Sequence, residues 1–103
     1  MNKKCFLISI YFPLGEKKGK LFLEKTYGQV KGKLMILNHE EMIYGTIDHQ
    51  GNCVFEGIIK TLTRKIVFHA IGKIENQSLE LEIRDGENIY ILKGTEVQNG
   101  EVF

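Results

Sequence analysis

The chain has 103 residues, of which 43% are hydrophobic and 26% charged, and its formal net charge is +1. That length supports one hydrophobic core, so a single domain over residues 1–103 is expected. The near-neutral balance argues against a dedicated nucleic-acid binder, and no stretch approaches the roughly 20 apolar residues of a membrane-spanning helix.

From the start, Met1-Asn2-Lys3-Lys4 and the apolar run from Cys5 to Phe12 have the outline of a secretion signal. The run is too short, and Pro13-Leu14-Gly15-Glu16-Lys17-Lys18 follows where a small-residue cleavage site is needed. It reads instead as a first strand, 4–12, of a cytoplasmic protein. Further strands are expected at 20–26, 29–37, 42–48, 53–61, 65–74, 79–84 and 88–97. The loops between them are short, among them Asn38-His39-Glu40-Glu41, the Gly51 turn and Asp85-Gly86-Glu87. No window holds helical apolar spacing, whereas Leu79, Leu81 and Ile83 alternate cleanly with Glu80, Glu82 and Arg84. The fold class is all-β: an antiparallel up-and-down meander of about eight short strands.

The stretch from Gly45 to Gly57 carries most of this reading. Asp48-His49-Gln50-Gly51-Asn52 is a cluster of turn formers, with Gly51 suited to a positive φ, so the flanking runs fold back as a hairpin. The two-residue strand period points Gly45 and Gly57 inward, and it does the same for Gly32, Gly72 and Gly94. Glycine weakens a strand by roughly 0.5–1 kcal/mol relative to alanine, so its recurrence in five strands signals a geometric demand. Strong coiling of the sheet until its edges meet is such a demand, and a small closed barrel is predicted; bulges in an open sheet are the alternative. Gly45-Thr46-Ile47-Asp48 before Gly51 is echoed by Gly94-Thr95-Glu96-Val97 before Gly100-Glu101-Val102-Phe103, which reads as repeated hairpin chemistry.

Charge is distributed unevenly. Residues 1–37 hold eight lysines against Glu16 and Glu24, and residues 75–103 hold seven acids against Arg84 and Lys93. In a barrel the first and last strands are neighbours, so this asymmetry favours closure or head-to-tail pairing of two chains. Lys17, Lys18, Lys20, Lys25, Lys31 and Lys33, with Phe22 and Tyr27, resemble the cation and ring mixture used on single-stranded nucleic acid, but the acidic end would repel phosphate.

Other chemistry is weakly signalled. His39 and His49 fall in successive turns, at opposite ends of the sheet, and His69 shares a solvated face with Lys65 and Lys73, so no metal site is expected. Cys53 points inward, away from the His49 turn, and reads with Cys5 as a buried free thiol in a reducing compartment. No catalytic residue and no cofactor is assigned.

Two functional readings remain. Ile43, Ile47, Phe55, Ile59, Phe68, Leu81, Tyr90 and Leu92 face inward beside the glycines and would line a pocket for a small apolar molecule, if they do not simply pack solidly. Met35, Tyr44, Val54, Ile58, Val67 and Ile71 are left on the outer face, as at an interface for a homo-oligomer or another protein.

The order Pro13-Leu14-Gly15, Gly45-Thr46-Ile47-Asp48, Gly51-Asn52, Phe55-Glu56-Gly57, Gly72-Lys73-Ile74 and Leu92-Lys93-Gly94-Thr95 resembles a family of short, uncharacterised bacterial β-meander proteins. In general look it is also similar to the calycin barrels, to which lipocalins and fatty-acid-binding proteins belong. That resemblance implies a barrel and, more distantly, an interior ligand. The chain is shorter than those carriers and lacks their tryptophan near the start and their arginine cluster at the barrel end, and no site residue carries over.

Overall fold

A computed structural model describes residues 3–60 and 62–97, with Ile66 as backbone only. Thr61, expected to end the fifth strand, and the closing echo from Gly100 to Phe103 lie outside these residues. The strands are β1 (Lys3–Phe12), β2 (Gly15–Thr26), β3 (Gln29–Ile36), β4 (His39–Ile47), β5 (Asn52–Lys60), β6 (Lys65–Glu75), β7 (Ser78–Asp85) and β8 (Asn88–Glu96). Each pairs antiparallel with the next, and β8 returns to β1 to close a barrel. The seam runs from Phe6 opposite Glu96 to Tyr11 opposite Ile91. Beyond it Val97 N–H donates to the Cys5 carbonyl at 2.9 Å, and Lys4 Nζ lies 3.1 Å from Glu96 Oε1. An ion pair of this kind between the basic start and acidic end is a minor aid to closure beside the backbone ladder.

Four loops are shorter than the sequence suggests, those between β1 and β2, β3 and β4, β6 and β7, and β7 and β8, whereas the Tyr27-Gly28 turn has the expected length. Leu37 and Asn38 both take positive φ, as do Tyr27 and Gly28, so each pair forms a two-residue mirror-image turn matched to strand twist. His39, Glu40 and Glu41 therefore belong to β4. Likewise β2 begins at Gly15, although Gly15 to Lys18 are all exposed. There β2 pairs with the end of β1 while its own residues stay exposed, which an apolar pattern does not reveal.

The interior is built from opposed large and small residues. One ring of cross-strand neighbours reads Val30, Gly45, Phe55, Ala70, Ile83, Tyr90; another reads Leu79, Gly94, Ile8, Gly19, Ile36. Small residues let bulky neighbours fit the narrowing interior of a small barrel. The expected inward glycines all occupy such positions, and Gly19 on β2 joins them.

The β4–β5 turn is held by its own side chains and by the neighbouring strand. Asp48 Oδ1 accepts the Gln50 and Asn52 backbone N–H groups, each at 2.9 Å, and Oδ2 accepts Asn52 Nδ2 at 3.0 Å. Gly51, at φ +90°, accepts the Ile74 N–H at 2.8 Å and so ties the turn to β6. The Asn52 side chain first, then the backbone donors, hold the Asp48 carboxyl below its ordinary value of 3.8. Because the folded value is depressed, the stabilisation is present above the unfolded value and is lost as pH falls through the folded one. The stability difference between wild type and Asp48→Asn, read from urea melts, should be flat above about pH 5 and move in favour of the variant as acid protonates the wild-type carboxyl. A difference independent of pH down to the acid transition would count against this role.

Candidate interaction surface

The residues expected to line an interior pocket do converge. Ile43, Phe55, Ile59, Phe68, Leu81, Tyr90 and Leu92 belong to one buried core, with Ile47 partly buried against it. The glycines beside them do not leave this space open. A Cβ on Gly32 would lie 2.8 Å from Leu23 Cδ2 and 2.9 Å from Ile43 Cγ1. On Gly45 it would meet the Val54 carbonyl oxygen and lie 2.7 Å from Phe55 Cδ1. Gly57 is covered by Ile43 and Phe68, and Gly94 by Ile8. Neighbouring side chains and backbone thus occupy the room that glycine creates. No polar or charged residue among those described is buried, and the Tyr90 ring packs in this core, tilted against Phe12 with centroids 5.1 Å apart.

Both cysteines are free and buried. Desolvation, with a smaller contribution from the Asp48 charge, pushes the Cys53 thiol up to about 11, and desolvation also raises Cys5. Such thiols are poor nucleophiles at neutral pH. His39 and His49 stand at opposite ends of β4, and no metal-ligating cluster of three His, Cys, Asp or Glu side chains occurs among the described residues. Lys18, Lys20, Phe22, Lys31 and Lys33 share the outer face of β2 and β3, while Lys17 and Lys25 fall on the opposite strand parity. Glu24 and Glu40 intrude there, 3.6 Å from Lys3 and 3.9 Å from Lys33. No helix of the described residues is long and apolar enough to cross a membrane.

The outer face of β5 and β6 is different in kind. Val54 lies directly opposite Ile71, and Ile58 directly opposite Val67, with Glu56 opposite His69 between the two pairs. Val54, Val67 and Ile71 are 48%, 60% and 49% exposed, and Ile58 is half-buried. Tyr44, 57% exposed, flanks Glu56 from β4; Arg84 flanks His69 from β7. His69 Nδ1 is 3.3 Å from Glu56 Oε1, and Arg84 Nη2 is 3.4 Å from Glu82 Oε2. Four of the six residues expected at an interface thus form one block, with Tyr44 beside it. Met35 stands apart on β3, opposite Lys20 and Glu40.

Glu56, His69 and Arg84 were not among the expected interface residues, yet a signal for them exists in the chain. Val54-Phe55-Glu56-Gly57-Ile58-Ile59-Lys60 recurs as Val67-Phe68-His69-Ala70-Ile71-Gly72-Lys73. Valine, isoleucine and lysine match on the outer face, phenylalanine and a small residue on the inner one. Position by position, the centre differs: Glu56 in one copy is His69 in the other.

The fold defines a class, the closed eight-stranded antiparallel meander barrel. No family model, curated protein or solved structure matches the chain.

Proposed function

We propose that this protein is an interaction module that works through its outer surface, by associating with itself across the apolar face of β5 and β6. The observation that carries this reading is the block of two apolar cross-strand pairs, Val54 with Ile71 and Ile58 with Val67, set on the outside of a barrel whose glycine spaces are filled. Contiguous exposed apolar surface favours removal from water on association, at roughly 25 cal/mol per Å² buried. An interior ligand is the weaker reading, because it would have to displace residues already packed against the glycines. The two free thiols suit a reducing compartment, and we place the protein in the cytoplasm.

The test is the mass of the particle by light scattering at increasing concentration, for wild type and for Ile71→Lys. Ile71 is exposed, so the substitution should leave the circular dichroism spectrum and melting temperature nearly unchanged. Wild type should exceed the chain mass of 11.8 kDa as concentration rises, and the variant should stay at it. Equal masses for the two proteins would defeat the reading.

A further inference from the structure

The repeat across β5 and β6 gives the outer face an approximate two-fold axis of its own. Rotation about the normal to the sheet, between Glu56 and His69, carries Val54 to Val67, Ile58 to Ile71 and Lys60 to Lys73. Within the repeat this symmetry is broken at the central pair, where a carboxylate maps onto an imidazole, and beside it Tyr44 maps onto Arg84. A surface that is nearly self-similar but bears opposite chemistry at its two central positions is suited to a second copy of itself.

We propose that two chains pair isologously through this face, with β5 of one copy lying over β6 of the other. This rests on the self-association reading above and specifies its geometry. A two-fold axis running along the sheet, between the two strands, leaves position along the strands unchanged and exchanges β5 with β6. Val54 then meets Ile71 of the second copy, Ile58 meets Val67, and Glu56 meets His69, each contact occurring twice as an isologous interface requires. Within one chain His69 Nδ1 already lies beside Glu56, so Nε2 is the atom that reaches the second carboxylate. Next outward, Tyr44 comes over Arg84 of the other copy, a ring and guanidinium able to form a cation–π contact. Both side chains are long, which matters because the barrel surface curves away on either side of β5 and β6. The strands of the two copies would cross within about 30°, as in aligned sheet packing.

The alternative alignment, with β5 over β5, sets Glu56 against Glu56 and His69 against His69. Like charges placed face to face oppose association, so the central pair selects the register.

Two charge variants test this directly. Glu56→Lys sets lysine against His69 in its homodimer, and His69→Glu sets glutamate against Glu56. Each alone should self-associate at least about tenfold more weakly than wild type by sedimentation velocity. An equimolar mixture should recover a dimer, because lysine at 56 of one chain then meets glutamate at 69 of the other, while His69 meets Glu56. Circular dichroism of each variant checks that the barrel is retained. Wild type that dimerises while the variants dimerise equally well, or variants whose mixture stays monomeric, would overturn the proposed register and leave self-association standing. Wild type that remains monomeric to millimolar concentration would remove both.

Discussion

Gly45→Ala should lower the melting temperature by more than a glycine-to-alanine change at a position whose new methyl group meets only side chains. Its Cβ would be driven into the carbonyl oxygen of Val54, a backbone atom fixed in the β4–β5 ladder, and against Phe55 Cδ1 at 2.7 Å. Overpacking costs ~1–3 kcal/mol where side chains can yield, and here the ladder itself must move, so the cost should reach or exceed the top of that range. For a domain of this size, that corresponds to a fall of at least about 10 °C. Gly57→Ala is the informative comparison. Its Cβ meets Ile43 Cγ2 at 2.6 Å and Phe68 Cζ at 3.0 Å, ends of side chains that can turn aside. Thermal melts of the two variants should place Gly57→Ala well above Gly45→Ala. Equal melting temperatures would mean that close backbone approach is not what glycine provides at position 45.

Phe55→Ala should cost about 5 kcal/mol, the upper end of the roughly 3–5 kcal/mol typical of an aromatic truncation. Phe55 has no exposed surface, and its cross-strand neighbours on the inner face are Gly45 and Ala70. Neither can extend into the vacated volume, so the site cannot collapse around the loss, and residual void is what raises the cost of such substitutions. Chemical denaturation measures the effect. A second readout separates a filled interior from a hollow one: benzene or xenon should stabilise Phe55→Ala and leave wild type unchanged, since a dry apolar cavity takes such probes. Stabilisation of wild type by the same probe would show that the barrel already holds usable space.

Much of the fold was legible because its determinants are local. Alternation such as Leu79, Leu81 and Ile83 against Glu80, Glu82 and Arg84 sets the faces of a strand, and Gly51 takes the positive φ that its turn requires. Repeated inward glycines pointed to closure, and closure is observed. The same glycines were also read as possible spaces, because inwardness follows from a two-residue period but the identity of what fills the gap depends on register. Only pairing shows that Gly45 lies beside Phe55, or Gly57 beside Phe68. The β3–β4 turn was misread because Leu37 takes positive φ there and leucine carries no turn signal.

The outer block was partly legible for a similar reason. Exposure of Val54, Ile58, Val67 and Ile71 follows from alternation, but their arrangement in two facing pairs around Glu56 and His69 comes from the antiparallel register. The repeated heptapeptide was present in the chain throughout. Its meaning as a local two-fold axis requires that β5 and β6 be neighbours with Glu56 opposite His69, which no spacing within either copy encodes.

Native mass spectrometry of protein purified gently from its own cells tests the central claim most directly, because one spectrum counts chains and weighs anything retained inside. A particle of twice the chain mass, with no additional mass released on denaturation, is the result expected of a filled barrel that pairs through β5 and β6. A single chain carrying a reproducible small-molecule mass would contradict it and move the function to the interior.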